Sequence, residues 1–413
     1  MPIGATHLYS VMGYLGGTAP IRLKCAMSKS EFPLPEAFMP EDWRDAVLVG
    51  RIDRGEGPTP VVVQDGRMFD VSRAAPTVAE LLEKWQGVPQ GADLGDIHDL
   101  GLQTAWSDGS KPKIKLLAPV DLQCVKAAGV TFAVSAMERV IEERAKGIPG
   151  KAQAIREELA SRIGTDIRKV VPGSPEAAKL KDALIADGLW SQYLEVAIGP
   201  DAEVFTKAPP MSSVGWGDYV GIRTQSTWNN PEPEIVVVVD RTGKAVGATL
   251  GNDVNLRDYE GRSALLLGKA KDNNAASALG PFIRMFDDTF TIDDVRQAVV
   301  ELEIVGSDNY RLEGRSTMAD ISRDPLELVK QTISEHQYPD GFVLFLGTLF
   351  APTQDRDVKG SGFTHKEGDV VRISTPKLGV LENRVTTSKA APPWSFGISD
   401  LMKNLAKRGL LNA

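Results

Sequence analysis

The chain has 413 residues, of which 42% are hydrophobic, so it is long enough for a large buried core and more than one domain. Its 55 Asp and Glu residues outnumber its 47 Lys and Arg residues, and no basic block is present. This excludes the charge pattern of a nucleic-acid-binding protein. No apolar run is long enough to span a membrane, so no membrane partner is expected.

The two cysteines, Cys25 and Cys124, lack CxxC spacing and are too few for a disulfide framework, which predicts a cytoplasmic protein. The four histidines include no HxH or HxxxH pair. A metal ion is therefore expected to be held mainly by carboxylates, which suit Mg²⁺ or Mn²⁺ better than zinc.

Residues 1–38 are weakly apolar and are interrupted by Gly and Pro, without the leading charge and longer apolar core of a signal peptide. We expect a disordered or mis-annotated N-terminal extension here, with Met27 and Met39 as alternative starts of the protein.

Residues 39–115 contain short β-branched runs separated by Gly-containing turns, and Thr77 is a predicted helix N-cap. This part of the chain predicts a small N-terminal β-rich domain.

Residues 116–413 are predicted to form the main domain. Three helices are expected between Ser135 and Gly188, the last of them capped by Ser174, and most strands follow Gly199 as short β-branched runs. Because these strands do not alternate regularly with helices, the pattern favours an α+β, mainly β fold over a doubly wound sheet.

Two glutamates flank a proline directly before a strongly apolar strand in PEPEIVVVVD, residues 231–240. Glu232 and Glu234 are two residues apart, so their side chains are expected on one face of the strand. A short Gly-containing turn after Asp240 predicts a hairpin whose returning strand brings Asp253 beside them. Carboxylates this close repel one another unless a cation neutralises them, which predicts a divalent metal site. The alternative is an exposed strand end with solvated glutamates.

Four motifs, PEPEIVVVV, GNDVNLRD, GKAKDNN and LGP, occur in this order and resemble the core of the fumarylacetoacetate hydrolase superfamily; with further landmarks the resemblance runs from about Leu116 to Val385. Within the superfamily, WSQYLEVAIGPDAEVFTK and HQYPDGFVLFLGTLFAP resemble the 2-keto-3-deoxy-pentonate dehydratases, including those that act on 2-keto-3-deoxy-D-xylonate. The resemblance implies a β-roll of stacked sheets for residues 116–413, a divalent metal ion, a 2-oxo acid substrate, and a homodimer or higher homo-oligomer.

The implied reaction is metal-dependent dehydration of 2-keto-3-deoxy-D-xylonate to 2,5-dioxopentanoate (α-ketoglutarate semialdehyde) in oxidative pentose catabolism. A metal-stabilised enolate and loss of the C4 hydroxyl are the expected steps. The alternatives are an acylpyruvate-type carbon–carbon bond hydrolase, an oxaloacetate decarboxylase, or a sugar-acid-binding protein without activity. No histidine lies between His98 and His336 to match the water-activating histidine of the hydrolases, which favours elimination. The C4 configuration of the substrate stays open between D-xylonate-derived and L-arabinonate-derived acids.

The resemblance also implies roles for single residues. The metal ligands are expected to be Glu232, Glu234 and Asp253, because the further aspartate of the hydrolases is missing near Phe132. Lys271 matches the family's active-site lysine, Thr348 the residue that holds the substrate carboxylate, and Arg257 a supporting residue.

The helix predicted from Ser135 onward carries charges at helical spacing. Ser135, Arg139 and Glu142 share one face of this helix. We expect Glu142 or Glu143 as the general acid/base, with Ser135 and Arg139 binding substrate. The alternative is a solvated charged face.

Overall fold

The computed structural model describes residues 33–107, 114–163 and 170–411. Most of the predicted N-terminal extension, residues 1–32, lies outside this part, so its disorder stays a prediction. Within the described residues, no helix has the length and apolar character needed to cross a membrane.

The described residues form ten α-helices and nineteen strands. The helices are α1 (Val78–Glu83), α2 (Ala133–Ala145), α3 (Ala152–Ile163), α4 (Pro175–Ala186), α5 (Gln192–Ile198), α6 (Arg257–Glu260), α7 (Leu267–Lys271), α8 (Ile292–Gln297), α9 (Pro325–Thr332) and α10 (Ile398–Lys407). The strands are β1 (Leu48–Asp53), β2 (Thr59–Gln64), β3 (Arg67–Asp70), β4 (Ala92–Asp96), β5 (Leu102–Gln103), β6 (Ile114–Leu117), β7 (Cys124–Gly129), β8 (Glu203–Ala208), β9 (Tyr219–Ile222), β10 (Asn229–Asn230), β11 (Pro233–Val239), β12 (Ala245–Asp253), β13 (Asn255–Leu256), β14 (Ser277–Met285), β15 (Val299–Val305), β16 (Arg311–Thr317), β17 (Phe342–Phe345), β18 (Val370–Thr375) and β19 (Gly379–Thr387).

Twelve strands form the larger sheet. Its main order is β4-β3-β2-β1-β14-β12-β11-β17-β7-β8, with β6 pairing β1 and β5 pairing β6. A five-stranded sheet has the order β16-β15-β18-β19-β9, and β10 pairs with β13. The predominance of strands confirms the predicted α+β, mainly β fold. The strands of residues 39–115 share the larger sheet with later strands through β1 and β14. A domain boundary at residue 115 stays a prediction.

The strand β11 lies in the middle of the larger sheet and is buried along its whole length. Its residues Ile235, Val237 and Val239 belong to the core shared with the five-stranded sheet, whereas Val236 and Val238 face a second core that includes α1. Because both faces are covered, the strand is a continuous apolar run rather than an alternating one. This burial explains the sequence IVVVV.

Strands β11 and β12 form the predicted hairpin, with Glu234 opposite Gly251. The helices α2 to α5 follow β7 and precede β8, and their apolar residues form a separate core. Both predicted N-caps are also confirmed, since the Thr77 and Ser174 hydroxyls accept hydrogen bonds from the main chain of α1 and α4. The hairpin and the helical segment between β7 and β8 together supply most of the site described next.

Candidate active site

Three buried carboxylates meet where β11 begins and β12 ends. Each of Glu232, Glu234 and Asp253 offers an oxygen atom, and these atoms lie within 4.8 Å of one another. The main-chain N–H of Asp253 donates to the carbonyl of Glu232 at 3.1 Å, and the N–H of Glu232 donates to the Asn252 side chain at 3.3 Å. These bonds fix the two strand ends together, so the carboxylates are held close by the backbone.

Lys271, at the end of α7, is buried against this cluster. Its ammonium forms ion pairs with Glu232, with Asp253 at 3.1 Å, and with Glu260 at 3.7 Å. Burial disfavours the charged form, but the negative charges of these three carboxylates raise the pKa of Lys271 above its ordinary value. Lys271 is therefore a protonated hydrogen-bond donor beside the carboxylates.

Arg139, on α2, connects the same cluster to a second group of acids. Its guanidinium lies 2.6 Å from Glu232 and 2.8 Å from Glu142, and it also pairs with Glu260. Arg257 holds the other oxygen of Glu142 at 3.2 Å. The guanidinium of Arg139 is thus shared among three carboxylates and fixes their relative positions.

Of the three clustered carboxylates, Glu234 has the fewest positively charged partners. It accepts a hydrogen bond from the Gly347 N–H at 2.7 Å, but no Lys or Arg of the described residues forms an ion pair with it. Burial raises the pKa of Glu234 well above its ordinary value, and the charges of Asp253 and Glu232 raise it further. A positive charge is therefore missing at this point of the cluster.

This charge distribution fits a divalent cation. Among the described residues, the cluster and its direct surroundings contain more carboxylates than cations, so two negative charges remain when all are ionised. The six carboxylates are Glu142, Glu203, Glu232, Glu234, Asp253 and Glu260, and the four cationic side chains are Arg139, Lys207, Arg257 and Lys271. A set of carboxylate oxygens is the donor set that Mg²⁺ or Mn²⁺ prefers. Glu232, Glu234 and Asp253 would hold the ion.

The carboxylates open onto a cavity. Its lining combines the charged cluster with an apolar wall and two strand-end loops: Ala128, Gly129, Val130, Ser135, Arg139, Tyr193, Glu203, Phe205, Glu232, Glu234, Asp253, Glu260, Ala264, Leu267, Lys271 and Thr348. The Thr348 hydroxyl is buried and has no hydrogen-bond partner among the described residues, so it is available to a ligand.

Glu203, at the start of β8, lines the same cavity from the strand pair β7 and β8. Its partner across the strands is Gly129, where an added Cβ would lie 2.0 Å from a carboxylate oxygen of Glu203. Burial raises the pKa of Glu203 to about 7, and the nearby charge of Glu260 contributes. A carboxyl group with this pKa exchanges protons readily near neutral pH.

Residues 191–386 match the family model described as fumarylacetoacetate hydrolase C-terminal. Within these residues the chain is therefore similar to the fumarylacetoacetate hydrolase family. Two curated relatives match this chain at 32% identity. One is the 2-dehydro-3-deoxy-D-arabinonate dehydratase of Saccharolobus solfataricus, over 179 residues that cover 43% of this chain and 57% of the relative. The other is the probable 2-keto-3-deoxyxylonate dehydratase of Haloferax volcanii, over 195 residues that cover 47% of this chain and 64% of the relative. The matches therefore span less than two thirds of either relative.

Solved structures share the fold of this chain. The 2-keto-3-deoxy-D-arabinonate dehydratase superimposes with a TM-score of 0.60 at 21% identity, covering 82% of this chain and 99% of that chain. That protein has been solved in an apo form and in complex with magnesium and 2,5-dioxopentanoate. A fumarylacetoacetate hydrolase from Exiguobacterium antarcticum superimposes with a TM-score of 0.51 at 16% identity, covering 83% of this chain and all of the other. These likenesses confirm the predicted superfamily fold.

The structure brings most of the predicted site residues of the domain together. Ser135, Arg139, Lys271 and Thr348 line the cavity with the three carboxylates. The Ser135 hydroxyl donates a hydrogen bond to the carbonyl of Phe132 at 2.8 Å, and the Arg139 guanidinium forms ion pairs with the carboxylates described above.

Three other predicted residues do not line the cavity. Glu142 is buried behind Arg139, and Arg257 is buried beside it. Glu143 accepts hydrogen bonds from Ser191 and from Gln192, the latter at 2.8 Å, and so points away from the carboxylate cluster. Consecutive helical residues differ by about 100° around the axis, which separates the two glutamates.

Sequence reasoning did not single out Glu203, Tyr193 or Glu260. One signal was present: in EVFTK, the residues Glu203, Phe205 and Lys207 alternate along β8 and so share one face. Two charged residues on the face of a strand that also carries an aromatic ring indicate a buried polar surface rather than solvent.

Proposed function

We propose that this chain catalyses the metal-dependent dehydration of a 2-keto-3-deoxy-D-pentonate to 2,5-dioxopentanoate. The observation that carries the proposal is the buried cluster of Glu232, Glu234 and Asp253, which opens onto a cavity that also holds Lys271 and Glu203. The two curated relatives are named as dehydratases of this kind, and a protein of the same fold binds the expected product. The place of the reaction in pentose catabolism is part of the proposal.

The names of the two relatives describe one compound. Forming the ketone at C2 and removing the hydroxyl at C3 leaves C4 as the only stereocentre, and D-xylonate and D-arabinonate have the same configuration at C4. The relatives therefore support a D-configured substrate over one derived from L-arabinonate. We extend this preference to the present chain.

The metal ion in this proposal is Mg²⁺, with Mn²⁺ as the alternative, held by Glu232, Glu234 and Asp253. A bound divalent ion would polarise the 2-keto group and make the C3 protons more acidic. The protonated Lys271 donates to the 2-keto oxygen or to the departing hydroxyl, since its ammonium faces the cavity beside the carboxylates. The free hydroxyl of Thr348 binds the substrate carboxylate, and Ser135 and Arg139 complete the binding surface, with Arg257 supporting Arg139 through Glu142.

Glu203 is the group best suited to move protons. It lines the cavity, lacks an ion-pair partner among the described residues, and has a pKa of about 7. As a base it accepts the C3 proton, and as an acid it donates a proton to the C4 hydroxyl, which leaves as water. The resulting C3–C4 alkene then tautomerises: it loses protons from C5 and from the C5 hydroxyl and takes up protons at C3 and C4, which gives the aldehyde of 2,5-dioxopentanoate. The acid/base role that the sequence suggested for Glu142 or Glu143 is therefore proposed for Glu203, while Glu142 positions Arg139.

Elimination fits this cavity better than carbon–carbon bond hydrolysis. A hydrolase of the superfamily is expected to activate water with a histidine, and none of the histidines in the described residues lines the cavity. The cytoplasmic location and the homo-oligomeric state inferred from the sequence remain part of the proposal.

The test is product analysis by NMR in D₂O with 2-keto-3-deoxy-D-pentonate, with Mg²⁺ and with EDTA. We expect 2,5-dioxopentanoate that carries solvent deuterium at C3 and C4, loss of turnover with EDTA, and loss of turnover in Glu234→Gln. The exposed strand residue Glu301 supplies the control variant, Glu301→Gln. Release of pyruvate or of CO₂ from an acylpyruvate or from oxaloacetate, without dehydration of the sugar acid, would replace the proposal by one of the alternatives.

A further inference from the structure

Lys207, on β8, is a lysine without any solvent exposure that lies behind the carboxylate cluster. Its side chain is 0% exposed, and it does not line the cavity. The ammonium contacts one carboxylate and two main-chain carbonyls: it lies 2.8 Å from Asp253 Oδ1 and 3.4 Å from the carbonyl of Val254, and it donates to the carbonyl of Lys271. The contact with Asp253 is an ion pair, and the two carbonyls accept hydrogen bonds from the ammonium.

The contact with Asp253 divides the two oxygens of that carboxylate. Oδ1 is held by Lys207, whereas Oδ2 lies 3.1 Å from the Lys271 ammonium on the cavity side. Because a carboxylate rotates freely about its last bond, a fixed partner on one oxygen sets the direction of the other. Lys207, opposite Lys271, therefore sets the orientation in which the Asp253 carboxylate faces the cavity.

The contact with the carbonyl of Lys271 acts on the second functional group. The helix α7 ends at Lys271, and the carbonyls at the end of a helix lack partners within the helix. A buried cation that donates a hydrogen bond to such a carbonyl also interacts favourably with the partial negative charge of the helix end. Lys207 thus fixes the end of α7, and with it the point from which the Lys271 side chain starts.

We infer that Lys207 is a positioning residue that orients Asp253 toward the metal ion and holds Lys271 at the reacting centre. The inference rests on the proposed function, because it assigns Asp253 and Lys271 their roles there. A plain counter-charge would need only one contact with Asp253. The contacts with two carbonyls from separate elements require the shape of lysine as well as its charge.

Lys207→Met and Lys207→Arg test this inference through Mn²⁺ binding, measured by calorimetry on protein without substrate. If Lys207 only balances charge, Lys207→Met leaves the site more negative and Mn²⁺ binds more tightly. If it positions Asp253, both variants bind Mn²⁺ about 10- to 100-fold more weakly, the range found when partners of metal ligands are removed. Circular dichroism and thermal unfolding would reveal a folding defect in Lys207→Met. Because Lys207→Arg keeps the charge, it still tests the inference if Lys207→Met does not fold.

Steady-state kinetics provide the second readout. With saturating Mg²⁺ we expect kcat of Lys207→Arg to stay below that of the unmodified protein, because Lys271 is displaced even when the metal site is filled. The matched control is Lys126→Met on the neighbouring strand β7, whose ammonium donates to Thr206 at 3.0 Å outside the site. It should leave Mn²⁺ affinity unchanged.

Unchanged or tighter Mn²⁺ binding in a folded Lys207→Arg protein overturns the inference. If the unmodified protein binds Mn²⁺ and both variants lose affinity, but no sugar acid is dehydrated, the positioning of Asp253 stands and the proposed reaction fails. If the unmodified protein dehydrates the sugar acid but Lys207→Arg has normal metal affinity and kcat, the proposed reaction stands and the positioning role of Lys207 fails. The two failures are therefore distinguishable.

Discussion

The main-chain N–H of Gly347 donates a hydrogen bond of 2.7 Å to the carboxylate of Glu234. Gly347 follows the end of β17 and has a φ of +99°, a backbone conformation that favours glycine. A Cβ at this position would lie 1.9 Å from the hydroxyl of Thr131, which itself bonds to the carbonyl of Leu346 at 2.6 Å. The only hydrogen bond that Glu234 accepts from the described residues thus depends on a residue without a side chain.

Gly347→Ala should therefore weaken both the fold and the metal site. The unfavourable φ alone costs about 1–3 kcal/mol in the free energy of unfolding, and the contact with Thr131 adds to it. We expect a lower denaturation midpoint and weaker Mn²⁺ binding. The control is Gly360→Ala, because Gly360 has a φ of +81° but open space around its Cβ. Equal stability losses in the two variants would contradict a role for the Thr131 contact.

The carboxylate triad could be predicted from the sequence because its geometry is local. Glu232 and Glu234 share a face through the two-residue period of a strand, and the short turn after Asp240 returns the chain to them. Neither step requires knowledge of distant contacts. The paired strands β11 and β12 also lie next to each other in the sequence, which is the arrangement that a single sequence reveals best.

Glu203 and Lys207 could not be placed in this way. They lie on β8, which reaches the site only because β8 pairs with β7 across the helical segment that separates them in the chain. Nothing in the sequence states which strands become neighbours over that distance. For Glu142 and Glu143, the helical period was clear, but the face of α2 that turns inward is decided by its packing on α3 and α5.

Substitution of the two adjacent glutamates of α2 distinguishes their positions. Glu143→Gln should leave kcat/KM within about twofold, because Glu143 bonds to Ser191 and Gln192 outside the cavity. Glu142→Gln should lower kcat/KM about 10- to 100-fold, because Glu142 holds Arg139 beside a metal ligand. Steady-state kinetics with saturating Mg²⁺ provide the comparison. A larger effect of Glu143→Gln would restore that residue as the acid/base.

Arg139→Met should destabilise the metal-free protein by about 3–5 kcal/mol, because it leaves buried carboxylates without their shared cation. Chemical denaturation followed by circular dichroism measures the change. With Mg²⁺ present we expect a smaller loss, since the ion supplies positive charge to Glu232. Arg315→Met on the exposed strand β16 is the control and should shift stability by less than about 0.5 kcal/mol. A loss in Arg139→Met that Mg²⁺ does not reduce would separate Arg139 from the metal site.

Glu203→Gln should reduce kcat about 10²- to 10⁴-fold, the usual contribution of a general acid or base, with the Mn²⁺ affinity preserved. For the unmodified protein we expect a change in kcat between about pH 6 and pH 8, because the pKa of Glu203 is about 7. This step in the pH profile should be absent from the residual activity of the variant. A normal kcat in Glu203→Gln, or an unchanged pH profile, would return the proton transfer to another residue.

The same substitution has a second consequence for the pH dependence of stability. The pKa of Glu203 is about 7 in the folded protein and near 4.5 when unfolded, so between these values the folded state binds more protons. Stability must then fall as pH rises through this window, because the unfolded state gains free energy by ionising Glu203 while the folded state keeps it protonated.

Glu203→Gln removes this penalty. In metal-free protein we expect the variant to be more stable than the unmodified chain at pH 8, by at most about 3 kcal/mol, and the difference to shrink as the pH falls toward 4.5. Denaturant unfolding at a series of pH values measures the difference, with Glu301→Gln on an exposed strand position as the control. Because an amide cannot ionise, a gain in stability that grows with pH would show that burial raises the pKa of Glu203 in the unmodified protein. A gain of equal size at every pH would instead indicate better packing of the glutamine against Gly129.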